Sequence, residues 1–387
     1  MPTAAKSNQP TKRRWLRFSI RGMMLATLAL AIFLAMIGKP IYLSMREQPV
    51  VEEIAKVGGT IHYDYELEGE SYDPGKTPPG SAWLKQLLGE LVFARVRAVE
   101  LPRNPELVAQ LSAFTGLRRL RIEEITLTED QFDALVTLPR LERLEIDGGK
   151  WTPEQLTRLA QTHQVTYLVL QGAGAGDKHL QQLVRFPFLK ELYLENSPAN
   201  DASLKPIGSL TQLESLGLLG CPNVTDEGIS SLAGLTHLRS LVIDAPQMTA
   251  ESLPVVRDMT KLEWLRIEKH PPQYARLADA EMQSLAGLTR LKFLSVGGFP
   301  IGDEGLQTIG TLTQLEELAL RGTRISYFGL AHIRELKKLR DLDMDDFYLR
   351  DSDNETLDNL PVLNSLTTND IQTGKRTRIG WSRRTRP

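Results

Sequence analysis

The stretch 213–241, LESLGLLGCPNVTDEGISSLAGLTHLRSL, contains one full cycle and the start of the next: Leu-x-x-Leu-x-Leu opens at Leu213 and opens again at Leu238. Within the cycle, Leu216 and Leu218 alternate with small or polar residues, the pattern of a half-buried strand. Thr225 is a good helix N-cap, and Asp226 behind it suits the positive end of a helix. Ile229, Leu232 and Leu235 then fall three apart, which is one face of a helix. The cycle therefore reads strand, turn, short helix, return.

The same pattern recurs along the chain, with first residues Leu117, Leu141, Val165, Leu189, Leu213, Leu238, Leu262, Leu291, Leu315, Leu339 and Leu363. Steps of 24 or 25 separate all of them except Leu262 and Leu291, which are 29 apart. A looser first unit begins at Val96, with Val99 and Leu101. Thr128, Thr152, Asn200 and Thr249 repeat the N-cap, and Asp177, Asp201, Asp279 and Asp303 repeat the acidic residue. The few apolar residues of one unit cannot offset the entropy of ordering it, so neighbours must stack. The expected fold class is α/β: a horseshoe solenoid of about 12 units over 96–370, with a parallel sheet on the concave side and short helices on the convex side.

The stretch 213–241 and GDEGLQTIGTLTQLEEL from Gly302 resemble the leucine-rich repeat superfamily, most closely the class shared by ribonuclease-inhibitor-like and F-box-associated repeats. The superfamily places Asn or Cys eight residues after the first Leu. Only Cys221 fits here; Ile125, Gly149, Ser197, Phe299 and Thr323 do not, so no asparagine ladder is expected. The basic N-terminus followed by IAKVGGTIHYDYE (54–66) is similar to bacterial membrane-anchored leucine-rich repeat proteins. The resemblance implies a binding protein.

Ahead of the repeats, residues 22–38 read GMMLATLALAIFLAMIG without a charge, and apolar character resumes at Ile41, Tyr42 and Leu43. With Lys39 able to snorkel, 22–43 is expected to form a transmembrane signal anchor. Lys6, Lys12, Arg13, Arg14, Arg17 and Arg21 in or beside the segment 1–21 place it in the cytoplasm by the positive-inside rule, with the repeats periplasmic or extracellular. A cleaved signal peptide is the competing reading. Residues 46–95 are expected to cap the solenoid: a helix through Val50, Val51, Ile54 and Val57 stopped at Gly58-Gly59, a strand through Ile61, Tyr63 and Tyr65, a loop at 71–80, and a short helix carrying Trp83, Leu84, Leu87 and Leu88. The basic tail 371–387 is expected to be disordered, either as a solvated end or as a contact for an anionic surface.

The chain has 387 residues, 24% of them charged, with a net charge of −2, so no global field directs it to nucleic acid. With one cysteine, Cys221, neither an intrachain disulfide nor a multi-thiol metal site is available. No nucleophile elbow, zincin helix or P-loop is present, and the six histidines fall at scattered repeat phases. Gly172–Gly176 (GAGAG) sits where each unit leaves its strand, which suits a tight turn better than a phosphate cradle. Asp341, Asp343, Asp345 and Asp346 form an acidic patch whose strand spacing is too wide for one calcium ion. The chain is therefore expected to be no enzyme and to need no cofactor or metal.

Outward strand positions carry the candidate site. Early units are partly basic, with Arg119, Arg121 and Arg143; middle units bring Tyr167, Tyr193, Trp264 and Phe293; the late unit is acidic. Trp264 and Phe293 share one phase in successive units, Arg266 lies beside them, and the five-residue insertion near Tyr274 falls between them. Trp264, Arg266, Tyr274 and Phe293 are the expected protein-binding hot spot, with Tyr167 and Tyr193 as further contacts. The plainer alternative is that Trp264 and Phe293 only pack on each other. Three functions stand open: a membrane-tethered scaffold or receptor-like ectodomain, an envelope-structural protein on an anionic surface or polysaccharide, and an adaptor that positions an enzyme.

Overall fold

The computed structural model describes residues 20–68, 71–73, 75–80, 82–89, 92–123, 126–149, 151–162, 164–268, 278–326, 328–344, 357, 360–369 and 376–380. The chain divides into two compact units, 1–49 with 64–95, and 50–63 with 96–387.

The second unit is an α/β repeat solenoid built on a 14-stranded sheet. Strand β1 (Thr60–Tyr63) opens it. The first unit contributes the small hairpin β2 (Leu67–Glu68) and β3 (Ser71–Tyr72). The large sheet continues with β4 (Val96–Leu101), β5 (Arg119–Glu123), β6 (Arg143–Asp147), β7 (Tyr167–Gln171), β8 (Glu191–Glu195) and β9 (Ser215–Leu219). It ends with β10 (Ser240–Asp244), β11 (Trp264–Glu268), β12 (Phe293–Ser295), β13 (Glu317–Ala319), β14 (Asp341–Asp343), β15 (Ser365–Asn369) and β16 (Arg376–Gly380). Strands β4 to β15 run parallel in chain order, while β1 and β16 close the two ends antiparallel. Each repeat of the motif supplies one strand, as the leucine-rich repeat pattern implies. The motif leucines are buried: Leu213, Leu216 and Leu218 are fully covered, as are Leu262, Leu265 and nearly all of Ile267. They meet the inward faces of short helices such as Glu129–Val136, Asp201–Gly208 and Asp303–Ile309, and of 3-10 turns such as Ala250–Val256, in one core. Among the described residues of this unit, the core helices all lie on one face of the sheet.

Two repeated devices make the turn between layers. Seven residues after the first Leu, the backbone takes a positive φ at Gly148, Gly172, Asn196, Gly220, Gly298 and Gly322. Only Gly, or less often Asn, adopts this conformation at low cost, so that position ends the strand and sends the chain towards the helix side. The second device joins neighbouring repeats. Asp201 accepts from the Thr225 backbone N–H and hydroxyl, both at 2.8 Å. Asp226 accepts from the same two groups of Thr249 at 2.7 and 2.6 Å, and Asp303 from those of Ser326 at 2.8 and 2.6 Å. Asp279 accepts from the N–H groups of Gly302 and Gly305 at 2.7 and 3.0 Å. The acidic residue at each helix start thus also holds the helix start of the next repeat. It needs room there: a Cβ on Gly305 would lie 2.6 Å from Asp279 Oδ1, and Gly228 and Gly329 stand in the same relation to Asp201 and Asp303. An aspartate ladder on the helix side is present where the asparagine ladder is absent.

Several expectations change. The segment 22–43 and the expected cap helix are one element, α1 (Ile20–Lys56), which passes through Pro40 and Pro49. Among the described residues, no helix is long and apolar enough to cross a membrane. The helix ends as expected: Gly58 has φ +80, and the Gly59 N–H returns to the Ile54 carbonyl at 2.9 Å. The expected cap 46–95 is divided, with 50–63 joining the solenoid and 64–95 the other unit. The expected loop at 71–80 opens with β3, and Tyr65 lies in a turn beyond β1. Helix α2 (Ala82–Leu88) forms where the apolar spacing put one. The tail expected to be disordered contributes β16, which pairs with β15 from Asn369↔Arg376 to Ser365↔Gly380. Sheet-edge hydrogen bonding outweighs the low apolar content that suggested disorder.

Candidate binding face

Because side chains alternate along a strand, the residues beside each buried leucine point to the open face. Strand register then decides which repeats meet. Trp264 pairs with Phe293, Phe293 with Glu317, Glu317 with Asp341 and Asp341 with Ser365, forming one row across the face. A second row runs through Arg266, Ser295, Ala319, Asp343 and Thr367.

In the first row the Trp264 and Phe293 rings stack face to face, 3.7 Å between centroids and 2° from parallel. Trp264 is 42% exposed. The rings pack on each other, and the pair still presents apolar surface to solvent. Arg266 lies on the same strand, but its guanidinium is engaged by Glu268 at 2.6 Å. The Ser295 hydroxyl donates to the other Glu268 oxygen at 3.1 Å. Burial alone would raise the Glu268 carboxyl; the hydrogen bond and charge of Arg266 outweigh it and hold the group below the usual carboxylate range. Arg266 is thus a positioned, ion-paired member of the face. Tyr274 lies outside the described residues.

Tyr167 and Tyr193 form a separate patch, their ring centroids 5.6 Å apart and tilted by 41°. The Arg143 guanidinium lies 3.6 Å above the Tyr167 ring and reaches Glu191 beyond it at 3.4 Å. Burial, with the charge of Glu145 adding to it, pushes the Tyr167 hydroxyl up to about 12. Burial likewise raises the Glu145 carboxyl, against the charges of Arg121 and Arg143. Tyr193 leans over the neighbouring strand, where a Cβ on Gly217 would collide with its ring. Between the two patches, β9 and β10 present only Ser215, Gly217, Ser240 and Val242 in these rows. The six residues singled out from sequence therefore separate into two pairs of rings, one ion-paired arginine and one residue outside the described set.

Among solved structures, the chain is similar to an internalin, inlF, from Listeria monocytogenes, at 21% identity over 73% of this chain and 92% of that one, with a TM-score of 0.49. It is also similar to an internalin C2, inlC2, from the same organism, at 22% identity over 57% and 84%, with a TM-score of 0.43. At these identities the likeness is one of fold. No protein-family model and no curated protein matches the chain.

The ring stack stands between two hollows. One, about 740 Å³, lies towards the C-terminal strands and is lined by Glu268, Phe293, Glu317, Arg321, Asp341 and Asp343 among others. The Arg321 guanidinium is held there by Asp343, with donor distances of 2.9 and 2.8 Å. The second, about 720 Å³, lies towards the strand starts and is lined by Glu214, Arg239, Glu263 and Lys292. These belong to a feature the sequence reading passed over. One residue after the first Leu, in the repeats opening at Leu189 to Leu339, charge alternates from repeat to repeat: Lys190 meets Glu214 at 2.7 Å, Arg239 meets Glu263 at 2.8 Å, and Lys292 meets Glu263 at 2.6 Å. The signal was present as Lys190, Glu214, Arg239, Glu263, Lys292, Glu316 and Arg340 at one fixed phase. Hydrogen bonds from Lys190 and Lys292 hold the Glu214 and Glu263 carboxyls below the usual range. Exposed pairs of this kind contribute about 0–1 kcal/mol each.

Chemically, the face offers apolar rings, paired charges and shallow hollows. Cys221 is buried, and burial raises its thiol to about 11, so it stays protonated and inert as a nucleophile. Among the described residues, no group of three or more His, Cys, Asp or Glu could hold a metal ion.

Proposed function

We propose that this chain is a membrane-tethered leucine-rich repeat protein that binds another protein through the open face of its sheet, without catalysis. The observation that carries the reading is the Trp264–Phe293 stack: two large rings in contact, on the solvent side of the sheet, between two hollows, with Trp264 42% exposed. Rings of this size at the centre of a patch, rimmed by paired charges, are what anchor protein interfaces. The finer class, that of ribonuclease-inhibitor-like and F-box-associated repeats, and the kinship with bacterial membrane-anchored repeat proteins belong to this proposal too. They are supported by the repeat phase and the segment 54–66.

The tether rests on the uncharged run 22–38, the six cations in or beside 1–21, and the exposure of Met23, Met24, Leu25, Leu28, Leu30 and Ile32 along α1. The repeats are then periplasmic or extracellular.

A photo-crosslinking amino acid at Phe293 in living cells, with Gln307 on the helix side as control, tests the binding reading. One discrete adduct at 293 that is absent at 307 is expected; equal labelling, or no adduct, sinks it. Protease added to spheroplasts tests the tether: the repeats should be digested while a tag at the N-terminus is protected, and protected repeats would place them in the cytoplasm.

A further inference from the structure

Two charged rows border the open face, and they are built differently. The row at the strand starts alternates in sign and neutralises itself, Lys190 with Glu214, Arg239 with Glu263 and Lys292 with Glu263. The row at the strand ends, six residues after each first Leu, has one sign. From β5 to β11 it is acidic at Glu123, Asp147, Glu195, Asp244 and Glu268 and neutral between them. None of the five is buried. Past β11 the phase goes through Gly297 to Arg321, which Asp343 holds.

Register sets acid beside acid in this row: Glu123 lies opposite Asp147, and Asp244 opposite Glu268. Like charges placed directly opposite each other destabilise a sheet. Arginines of the neighbouring row reach its two ends, Arg121 to Glu123 at 3.6 Å and Arg266 to Glu268 at 2.6 Å. Among the described residues, Asp147, Glu195 and Asp244 between those ends make no ion pair. A body approaching the face therefore meets the summed field of a negative row. With strands about 4.8 Å apart, the six spacings from β5 to β11 make the row about 29 Å long, the reach of about nine extended residues. Glu268 stands four residues beyond Trp264 on the same strand, about 13 Å along it, so one partner can cover both the ring stack and the row.

We propose that the partner of this face is a protein that lays a basic segment, bearing Lys or Arg side chains, along the strand-end row while its apolar part covers the Trp264–Phe293 stack. The inference rests on the protein-binding reading above and names the partner's chemistry. Charge complementarity carries it: the row repels nucleic acid and anionic polysaccharide, and basic side chains offset a repulsion that the chain leaves within its own sheet.

The test uses the full chain in detergent and two fluorescent peptides of about nine residues, one alternating arginine with serine and one alternating glutamate with serine, read by anisotropy. The arginine peptide is expected to bind at least about tenfold more tightly than the glutamate peptide, and to weaken several-fold as salt rises from about 0.05 to about 0.5 M. Glu195→Lys with Asp244→Lys is expected to weaken it at least about fivefold. Asp258→Lys with Glu304→Lys, the same charge change at exposed positions on the helix side, is expected to alter it by less than about twofold. No binding, equal affinity for the two peptides, indifference to salt, or equal losses in the two double variants would overturn the proposal. Thermal unfolding checks that the variants are folded. Glu195→Gln with Asp244→Asn, which removes charge without adding any, is expected to weaken the arginine peptide about threefold and is judged in the same way. In cells, the adduct at Phe293 is expected to fall several-fold in the Glu195→Lys, Asp244→Lys chain. An undiminished adduct overturns the charge assignment and leaves the binding face standing. Charge-selective peptide binding without any adduct in the unaltered chain does the reverse.

Discussion

Two seams run across the repeats, one on each side of the sheet, and they treat their side chains in opposite ways. On the helix side, Asp201, Asp226, Asp279 and Asp303 each accept two hydrogen bonds from the next repeat: from the N–H and hydroxyl of Thr225, Thr249 and Ser326 in three cases, and from the N–H groups of Gly302 and Gly305 for Asp279. Each of these aspartates is matched, and glycines keep the space clear beside Asp201, Asp279 and Asp303. On the open side, Trp264 and Phe293 also join neighbouring repeats, yet much of Trp264 remains in water. The first seam is explained by stability alone. The second leaves apolar area uncovered, and that surplus is what points to a partner. The Tyr167–Tyr193 patch lies between these extremes, since Arg143 already covers one of its rings.

Substitutions break the comparison at different points. The largest loss of stability is expected from Gly305→Val, which would drive a side chain into Asp279 and Ile301: about 2–4 kcal/mol, read as a lower midpoint in denaturant melts. Asp201→Ala strands the Thr225 N–H and is expected to cost about 1.5–3 kcal/mol by the same measurement. Loss of less than about 0.5 kcal/mol would show that the ladder is ornamental. Trp264→Ala should reverse the pattern. Its stability cost is expected at about 0.5–1.5 kcal/mol, while affinity for the partner crosslinked at Phe293 falls by about 2 kcal/mol or more, roughly thirtyfold. Unchanged binding at unchanged stability would reduce the stack to packing.

Two smaller effects follow from titration. Tyr167 is held neutral by burial, with its hydroxyl raised to about 12. Its stabilising contribution is complete below the ordinary value of 10.0 and is lost as pH rises through about 12. Tyr167→Phe should therefore flatten the alkaline limb of stability against pH, and an unaltered limb would show that the ring is not desolvated. Glu263 has the opposite sign: its carboxyl is held below 4.5 by Lys292, so its contribution is present above 4.5 and disappears as pH falls through the lowered value. Since the pair is largely exposed, Glu263→Gln is expected to cost no more than about 0.5 kcal/mol at neutral pH and nothing in acid.

Much of this architecture is legible in the order of residues. A fixed phase of leucines dictates one strand per repeat, because each buried row must lie on the next. The same phase locates the outward row that contains Trp264 and Phe293, and Thr128, Thr225 and Thr249 announce the helix starts. These are local or periodic signals, and periodicity survives in one dimension. What the order of residues did not disclose depends on pairs that only folding brings together, a repeat or two apart in the solenoid and across one strand edge in the tail. Asp201 reads in sequence as a helix-start residue of its own repeat, yet the next repeat's Thr225 lies against it, and Arg143 reads as one member of a basic early unit, yet Tyr167 and Glu191 lie beneath and beyond it. The tail read as disordered from composition, because the edge hydrogen bonds that recruit 376–380 belong to β15 rather than to the tail itself. Periodic burial belongs to the chain, whereas the partner of each charge is settled only when stacking brings distant repeats within hydrogen-bonding reach.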